Sequence, residues 1–190
     1  MIAPRASIRI QPLGRVRPRV LAALRRRLAR VYRMPVEVAP RRQYLRGLGY
    51  SPRRDQYRAD ILLDHLSAQV PPDGTCLLGV TEEDIYVPHY NFLFGLAYVG
   101  DRCAVFSLYR LDDDFPEDAD PRQGPAGWRL IDRAVKIAVH ELGHAFGLGH
   151  CRDGRCVMHY ADNVDAVDRE SGRHCEKCRP RLASAVAPRE

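Results

Sequence analysis

The stretch His-Glu-Leu-Gly-His-Ala-Phe-Gly-Leu-Gly-His, residues 140–150, decides how this chain folds around its site. His140 and His144 are four residues apart, so on a helix they lie one turn apart on the same face and can hold one metal ion together. Gly147 can adopt the left-handed backbone conformation that ends a helix. The chain can then turn and bring His150 to the same ion. Three imidazoles at this spacing are typical ligands of Zn²⁺.

Glu141 directly follows the first histidine, a position that suits a catalytic carboxylate. A structural zinc usually has four protein ligands, whereas three leave one coordination position open for water. Glu141 would then accept a proton from that water during attack on a carbonyl group and pass the proton to the leaving amine. The spacing therefore favours hydrolysis. Two alternatives remain open, a purely structural metal and three histidines packed in a core.

The histidines lie near the end of the strongest helix signal in the chain, over residues 127–146. Apolar residues recur along this segment at helical spacing, while His140 and His144 fall on the other side. The apolar stripe consists of Ile131, Val135, Ala138, Leu142 and Ala145. We therefore expect the stripe to seat the helix on a core and the histidines to face a cleft.

Four cysteines after the histidine motif predict a second metal site. They are Cys151, Cys156, Cys175 and Cys178, and their spacing resembles a zinc site with four thiolate ligands. Such a site is closed and structural, and it would stabilise residues 151–190, which contain few large apolar side chains. Two disulfides are the alternative. Cys76 and Cys103 fall within predicted strands and are interpreted as buried apolar residues.

The residues before the histidine helix predict alternating strands and helices. Predicted strands cover residues 7–10, 36–39, 76–80, 95–99 and 104–108, and predicted helices cover 18–34 and 57–69. Gly100-Asp101 joins the last two strands, which predicts an antiparallel pair. The order of elements predicts an α+β fold with helices packed on a mixed sheet. Residues 40–56 lack a clear period and are predicted to form a loop or an insertion facing the cleft. The acidic segment 112–120 is a predicted loop, either a solvated linker or a lid over the cleft.

Composition places the chain among globular proteins with a single domain. Its 190 residues are 45% hydrophobic and 28% charged, which argues against disorder. The net charge of +6 comes almost entirely from arginine, and Arg25, Arg26 and Arg27 lie off the apolar stripe of their helix, as on a solvated surface. We therefore expect no nucleic-acid partner. Because no stretch has the apolar length of a secretory signal or membrane span, we expect a cytoplasmic protein without a membrane partner.

The zinc motif and the cysteines together resemble one known family. The pattern His140-Glu141-x-x-His144-x-x-Gly147-x-x-His150-Cys151-x4-Cys156-x-Met158, followed by Cys175-x-x-Cys178, is similar to the archaemetzincin signature. Gly79-Val80-Thr81 with Asp84, and residues 91–95, also resemble that family. The resemblance implies a metzincin-type fold: a mixed, mostly parallel twisted sheet with an antiparallel edge strand, packed by helices, and a small zinc-stabilised C-terminal subdomain.

The resemblance also implies roles for residues outside the zinc motif. Met158 would form the methionine turn, an apolar floor beneath the imidazoles. Residues 95–98 would be the edge strand along which an extended peptide adds. The segment Met158-His159-Tyr160 is similar to the turn of the astacin group, whose tyrosine stabilises an oxyanion. Tyr160 is therefore a second catalytic candidate beside Glu141.

The expected protein is one metzincin-like catalytic domain over residues 1–190. Residues 1–150 form the upper subdomain with the sheet and active-site helix, and residues 151–190 form the C-terminal subdomain with the methionine turn and four-cysteine site. We expect a monomer that binds two Zn²⁺, one catalytic and one structural, and hydrolyses peptide bonds in peptide or protein substrates. The alternative is a weakly active or inactive zinc-stabilised peptide-binding protein on the same scaffold.

Overall fold

A computed structural model describes residues 6–112 and 125–187 of the protein, and these ranges contain eight strands and five α-helices. The strands are β1 Ile8–Leu13, β2 Val36–Val38, β3 Tyr50–Ser51, β4 Gln56–Arg58, β5 Cys76–Thr81, β6 Ile85–Tyr86, β7 Gly95–Tyr98 and β8 Cys103–Ser107. The helices are α1 Pro18–Tyr32, α2 Ala59–Ser67, α3 Pro125–Ala145, α4 Val164–Arg169 and α5 Cys178–Val186. Within the described ranges, every helix is too short or too polar to cross a membrane.

The main sheet has five strands in the order β2-β1-β5-β8-β7. Strands β2, β1, β5 and β8 run parallel, and β7 pairs antiparallel with β8 at the edge. All six residues of β5 are buried, as expected for a central strand that is covered on both faces. The predicted α+β fold, with a mostly parallel sheet and an antiparallel edge strand, is confirmed.

Helices cover both faces of this sheet and create two cores. Helices α1 and α3 pack on one face, where Leu24, Leu28 and Phe106 are fully buried. The hydroxyl group of Tyr32 in α1 donates a hydrogen bond of 2.8 Å to the carbonyl oxygen of Val139 in α3, which fixes the two helices together. Helix α2 packs on the other face through Leu62, Leu63 and Leu66. Each such leucine stabilises the fold by about 2 kcal/mol relative to an exposed side chain.

Two regions differ from the sequence-based expectation. The segment 40–56, predicted as a loop, contributes β3 and the first residue of β4 to a small second sheet with the order β3-β4-β6. Residues 151–190, for which no helix was predicted, contain α4 and α5. Strands of two or three residues are too short to show a period of alternating residues. Helix α4 has only six residues, which is too short for a clear helical pattern, so neither could be predicted from the sequence. Residues 113–120 of the predicted acidic loop lie outside the described residues.

Candidate metal centre and active-site cleft

Helix α3 and the turn that follows it bring three histidines together. His140 and His144 lie in the last turns of α3, and the turn that follows the helix contains Gly147, whose φ is +95°. The N–H groups of Gly147 and Leu148 donate to the carbonyl oxygens of His144 and Gly143, at 2.7 and 2.9 Å. This glycine turn reverses the chain, so His150 offers a ligand atom within 4.8 Å of those of His140 and His144.

Hydrogen bonds on the far side of two imidazole rings set their protonation. Nδ1 of His140 lies 2.7 Å from the carbonyl oxygen of Val157, and Nδ1 of His144 lies 2.7 Å from that of Leu148. A carbonyl oxygen only accepts, so each Nδ1 carries the proton and each Nε2 presents a lone pair. Burial and the neighbouring His144 also lower the pKa of His140 to about 3, which keeps its ring neutral.

The arrangement of lone pairs fits a cation. The two Nε2 atoms of His140 and His144 are 3.0 Å apart, and two unprotonated acceptors cannot hydrogen bond to each other. The lone pairs of the two Nε2 atoms therefore repel each other, and a divalent cation held by both nitrogens would remove this repulsion. The three nitrogen donors suit Zn²⁺, and the Nδ1 hydrogen bonds of His140 and His144 are the outer support that zinc-bound histidines usually have.

Glu141 lies beside the histidines with its side chain almost fully buried. Only 6% of the residue is exposed, and desolvation raises the pKa of its carboxyl group to about 8. Gly95 on strand β7 makes this position possible, because a Cβ atom at residue 95 would lie 2.5 Å from Oε1 of Glu141. The edge strand and the carboxylate are therefore in direct contact.

A cleft of about 490 Å³ opens in front of the three histidines. Its walls are mainly apolar and include residues of β7, the segment 90–94 before it, and Ile137 of α3. Tyr160 lies at its mouth with 54% of its surface exposed, and its ring centroid is 5.3 Å from that of His150. Gly95, Leu96 and Ala97 of the edge strand β7 thus line the cleft, as expected from the resemblance.

A buried polar network supports the wall of the cleft that contains Asn91. Asp84 is 5% exposed and accepts hydrogen bonds from the guanidinium group of Arg110 and from Nε2 of Gln56. Gln56 and Arg54 in turn donate to the carbonyl oxygen of Asn91, at 2.9 and 2.8 Å. Sequence analysis singled out Asp84 only by resemblance, because its partners are far apart in the chain.

The four cysteines of the tail form a second group of converging donors. The Sγ atoms of Cys151, Cys156, Cys175 and Cys178 all lie within 4.8 Å of one another. All four are free thiols, and the Sγ atoms of Cys151 and Cys175 are 3.8 Å apart, far beyond the roughly 2.05 Å of a disulfide. The alternative of two disulfides is therefore not supported. Cys76 and Cys103 are fully buried in β5 and β8, as predicted.

Met158 connects the two groups. It is fully buried, and its Sδ would lie only 2.3 Å from a Cβ atom placed on Gly143, so the thioether packs directly against α3 between His140 and His144. The carbonyl oxygen of Met158 accepts a hydrogen bond of 2.7 Å from the N–H of Cys151. One short segment therefore supports the histidines on one side and belongs to the cysteine group on the other.

Fold and site together define the class of zinc-dependent metallopeptidases, with three converging imidazoles, a buried glutamate and a cleft beneath an antiparallel edge strand. The sequence profile of Peptidase family M54 matches residues 52–184, more than half of the chain. The chain belongs to the archaemetzincin family, peptidase family M54.

Relatives and solved structures agree with this assignment over nearly the whole chain. The archaemetzincin of Pyrococcus abyssi is 38% identical over 182 residues, which cover 91% of this chain and 92% of the relative. The crystal structure of archaemetzincin from Methanopyrus kandleri has a TM-score of 0.81 at 33% identity and 98% coverage of both chains. The archaemetzincin of Archaeoglobus fulgidus, solved in complex with malonate, has a TM-score of 0.76 at 34% identity, covering 94% of this chain and 99% of that one.

Proposed function

We propose that this metallopeptidase uses His140, His144 and His150 as the ligands of its catalytic zinc and Glu141 as its general base. The observation that carries the proposal is the pair of unprotonated Nε2 atoms 3.0 Å apart, with a buried carboxyl group next to them in an open cleft. When bound there, Zn²⁺ polarises the substrate carbonyl group and lowers the pKa of water to about 7.

The chain's own groups carry the proton and orient the peptide. The carboxylate of Glu141 accepts the proton of the attacking water and returns it to the nitrogen of the leaving amine. Burial raises the pKa of this carboxyl group, and a cation on the adjacent histidines would favour the ionised form that accepts a proton. Backbone groups on the outer side of β7 pair with an extended substrate and hold the scissile bond beside Glu141.

Tyr160 is the second catalytic residue of the proposal. Its exposed ring lies against His150 at the mouth of the cleft, so the phenol group faces the side from which a substrate enters. The hydroxyl group of Tyr160 donates a hydrogen bond to the oxyanion that develops on the substrate carbonyl.

The four cysteines hold a structural zinc in this proposal. A four-thiolate site is closed, and the free thiols it requires are stable in the reducing cytoplasm, where we place the protein. Residues 1–150 then form the subdomain with the sheet and active-site helix, and residues 151–190 the subdomain organised by this zinc. We propose that both act within one monomer.

The test is digestion of a peptide library by the parent protein and by Glu141→Ala, with zinc content measured on both. Parent protein should hold two zinc ions per chain and cleave, and Glu141→Ala should keep both ions and lose at least about 100-fold in kcat. Glu83→Ala, which removes an exposed carboxylate, serves as the matched control and should retain full activity. Turnover by Glu141→Ala at the parent rate would remove Glu141 from the mechanism.

A further inference from the structure

The ionisable side chains that line the cleft differ in type from those that dominate the molecule. The chain carries 30 basic and 24 acidic residues, yet in the described part of the chain the carboxyl-bearing side chains that line the cleft are Glu141, Asp162 and Glu170, and no Lys or Arg lines it. The other lining residues are neutral and mostly apolar. An apolar, carboxyl-bearing cleft favours a substrate that brings a positive charge, because each carboxylate loses solvation when the cleft is filled.

Glu170 is the carboxyl group of this set that the catalytic proposal does not use. The residue is 5% exposed, and its Oε1 is shielded from solvent without a hydrogen-bond partner. A buried polar atom without a partner is costly. Because Glu170 lines the cleft, we infer that a ligand group completes Oε1 once the side chain turns toward the cleft. Desolvation raises the pKa of Glu170 to about 8, as expected for a carboxyl group without a neighbouring cation in hydrogen-bond contact.

The nearest cationic side chain is already engaged elsewhere. Nζ of Lys136 lies 3.1 Å from Oδ2 of Asp132 and donates a hydrogen bond of 3.2 Å to the carbonyl oxygen of Asp168. Lys136 lowers the pKa of Glu170 only as a secondary influence, weaker than burial. The ammonium group therefore does not neutralise the carboxyl group through a direct contact.

The backbone fixes Glu170 in place. It is the residue that ends α4, and its N–H donates to the carbonyl oxygen of Val167 at 3.3 Å. Asp168, two residues earlier, is bound to Arg133 of α3 through two hydrogen bonds of 2.8 and 2.6 Å. Because α3 also carries the histidines, the position of Glu170 relative to the metal centre is set by rigid elements, as a specificity site requires.

We propose that Glu170 is the specificity-determining carboxylate of the cleft and binds a cationic group of the substrate, either a lysine or arginine side chain or the peptide's amino terminus. The proposal rests on the peptidase function above and adds the chemical class of substrate. The ammonium or guanidinium group replaces the missing partner of Oε1, and the apolar walls pack against the methylene groups that precede it.

Hydrolysis of two octapeptide libraries tests the proposal, one with free amino termini and one N-acetylated. Parent protein should cut peptides that carry Lys or Arg at one fixed position from the scissile bond, and Glu170→Gln should reduce this enrichment roughly tenfold or more. Asp162→Asn, which removes an exposed carboxylate of the same cleft, should keep it. Enrichment that survives acetylation identifies a side chain, whereas a preference abolished by acetylation identifies the amino terminus.

A binding measurement separates this proposal from the catalytic one. In the Glu141→Ala background, fluorescence anisotropy is measured with labelled octapeptides that carry one Lys or one norleucine at each position in turn. The proposal is supported if Glu141→Ala binds the Lys peptide more tightly than the norleucine peptide and Glu141→Ala/Glu170→Gln does not. This holds even if the parent protein hydrolyses nothing. Unchanged discrimination, or none at the start, overturns it. Glu170→Gln keeps the shape and removes a buried charge, so Tm should not fall; a lower Tm with unaltered peptide preference would show a structural role instead and also overturn it.

Discussion

Gly95 shows how one missing side chain positions Glu141, the proposed general base. The residue lies in β7 with an ordinary backbone conformation, so its need for glycine is steric: a Cβ atom there would come within 2.6 Å of three side-chain atoms of Glu141. The carboxylate reaches the edge strand only because that volume is empty. Sequence patterns cannot reveal such a need, because Gly95 and Glu141 are 46 residues apart.

Gly95→Ala should therefore displace Glu141 while leaving the histidines in place. We expect zinc content to stay at the parent value and kcat/KM to fall by about 100-fold, the effect of misplacing a reacting group by about 1 Å. Zinc analysis together with peptide hydrolysis measures both. Gly154→Ala is the control, because a Cβ atom at residue 154 meets nothing within 4 Å, and its activity should match the parent. Equal activity of the two variants would contradict the steric argument.

At the scale of elements, long periodic segments were predictable and short ones were not. The helix predicted over 127–146 is α3, Pro125–Ala145, because its apolar stripe from Ile131 to Ala145 covers about four turns. The strand predicted over 76–80 is β5, because a continuous apolar run marks a strand buried on both faces. Helix α4 has six residues and is stabilised by an Asn163 cap and by contact with α3 rather than by its own pattern.

The residues of the candidate site also differ in how far they could be predicted from the sequence. The converging histidines and cysteines could be predicted because they lie close together in the sequence, within 140–178, and because both imidazole and thiolate groups are typical ligands of Zn²⁺. Glu170 and the network around Asp84 could not, because a carboxylate acquires its role from burial and from partners distant in sequence.

Cys175→Ser tests whether the tail depends on its metal. The variant should bind one zinc ion fewer, and its free energy of unfolding should fall by more than about 3 kcal/mol, since the small apolar core of the tail cannot replace metal binding. Native mass spectrometry and urea unfolding measure the two quantities. Cys103→Ala, which changes a buried cysteine outside the cluster, should retain two zinc ions. A full metal complement in Cys175→Ser would refute the four-cysteine site.

At the scale of the whole molecule, the ion pair between Arg133 and Asp168 joins the tail to the histidine helix. Arg133 is 3% exposed, and its guanidinium group lowers the pKa of Asp168 by hydrogen bonding to the carboxylate. A carboxyl group whose pKa is depressed in the folded state stabilises the protein above its unfolded pKa, about 3.9, and this stabilisation is lost as pH falls through the folded value.

Asp168→Asn should therefore be less stable than the parent at pH 6, by about 1–3 kcal/mol, and the difference should shrink below about pH 4 as the parent carboxylate is protonated. Urea unfolding of both proteins at several pH values measures it, and their difference cancels the loss of metal that acid causes in each. Glu37→Gln removes the exposed ion pair with Arg9 and should change stability by less than about 1 kcal/mol. A difference that stays constant with pH would contradict the assignment.

In the proposed mechanism a substrate adds to the antiparallel edge strand β7, which sets the conformation that the substrate must have. Peptide groups on its outer side can pair only with a chain whose own amides are not already engaged in helices or sheets. Native globular proteins satisfy most of those amides internally and are poor targets. The rate at which a given protein is cleaved should then depend on how often one of its segments unfolds locally. The enzyme would therefore discriminate by local unfolding as well as by residue type.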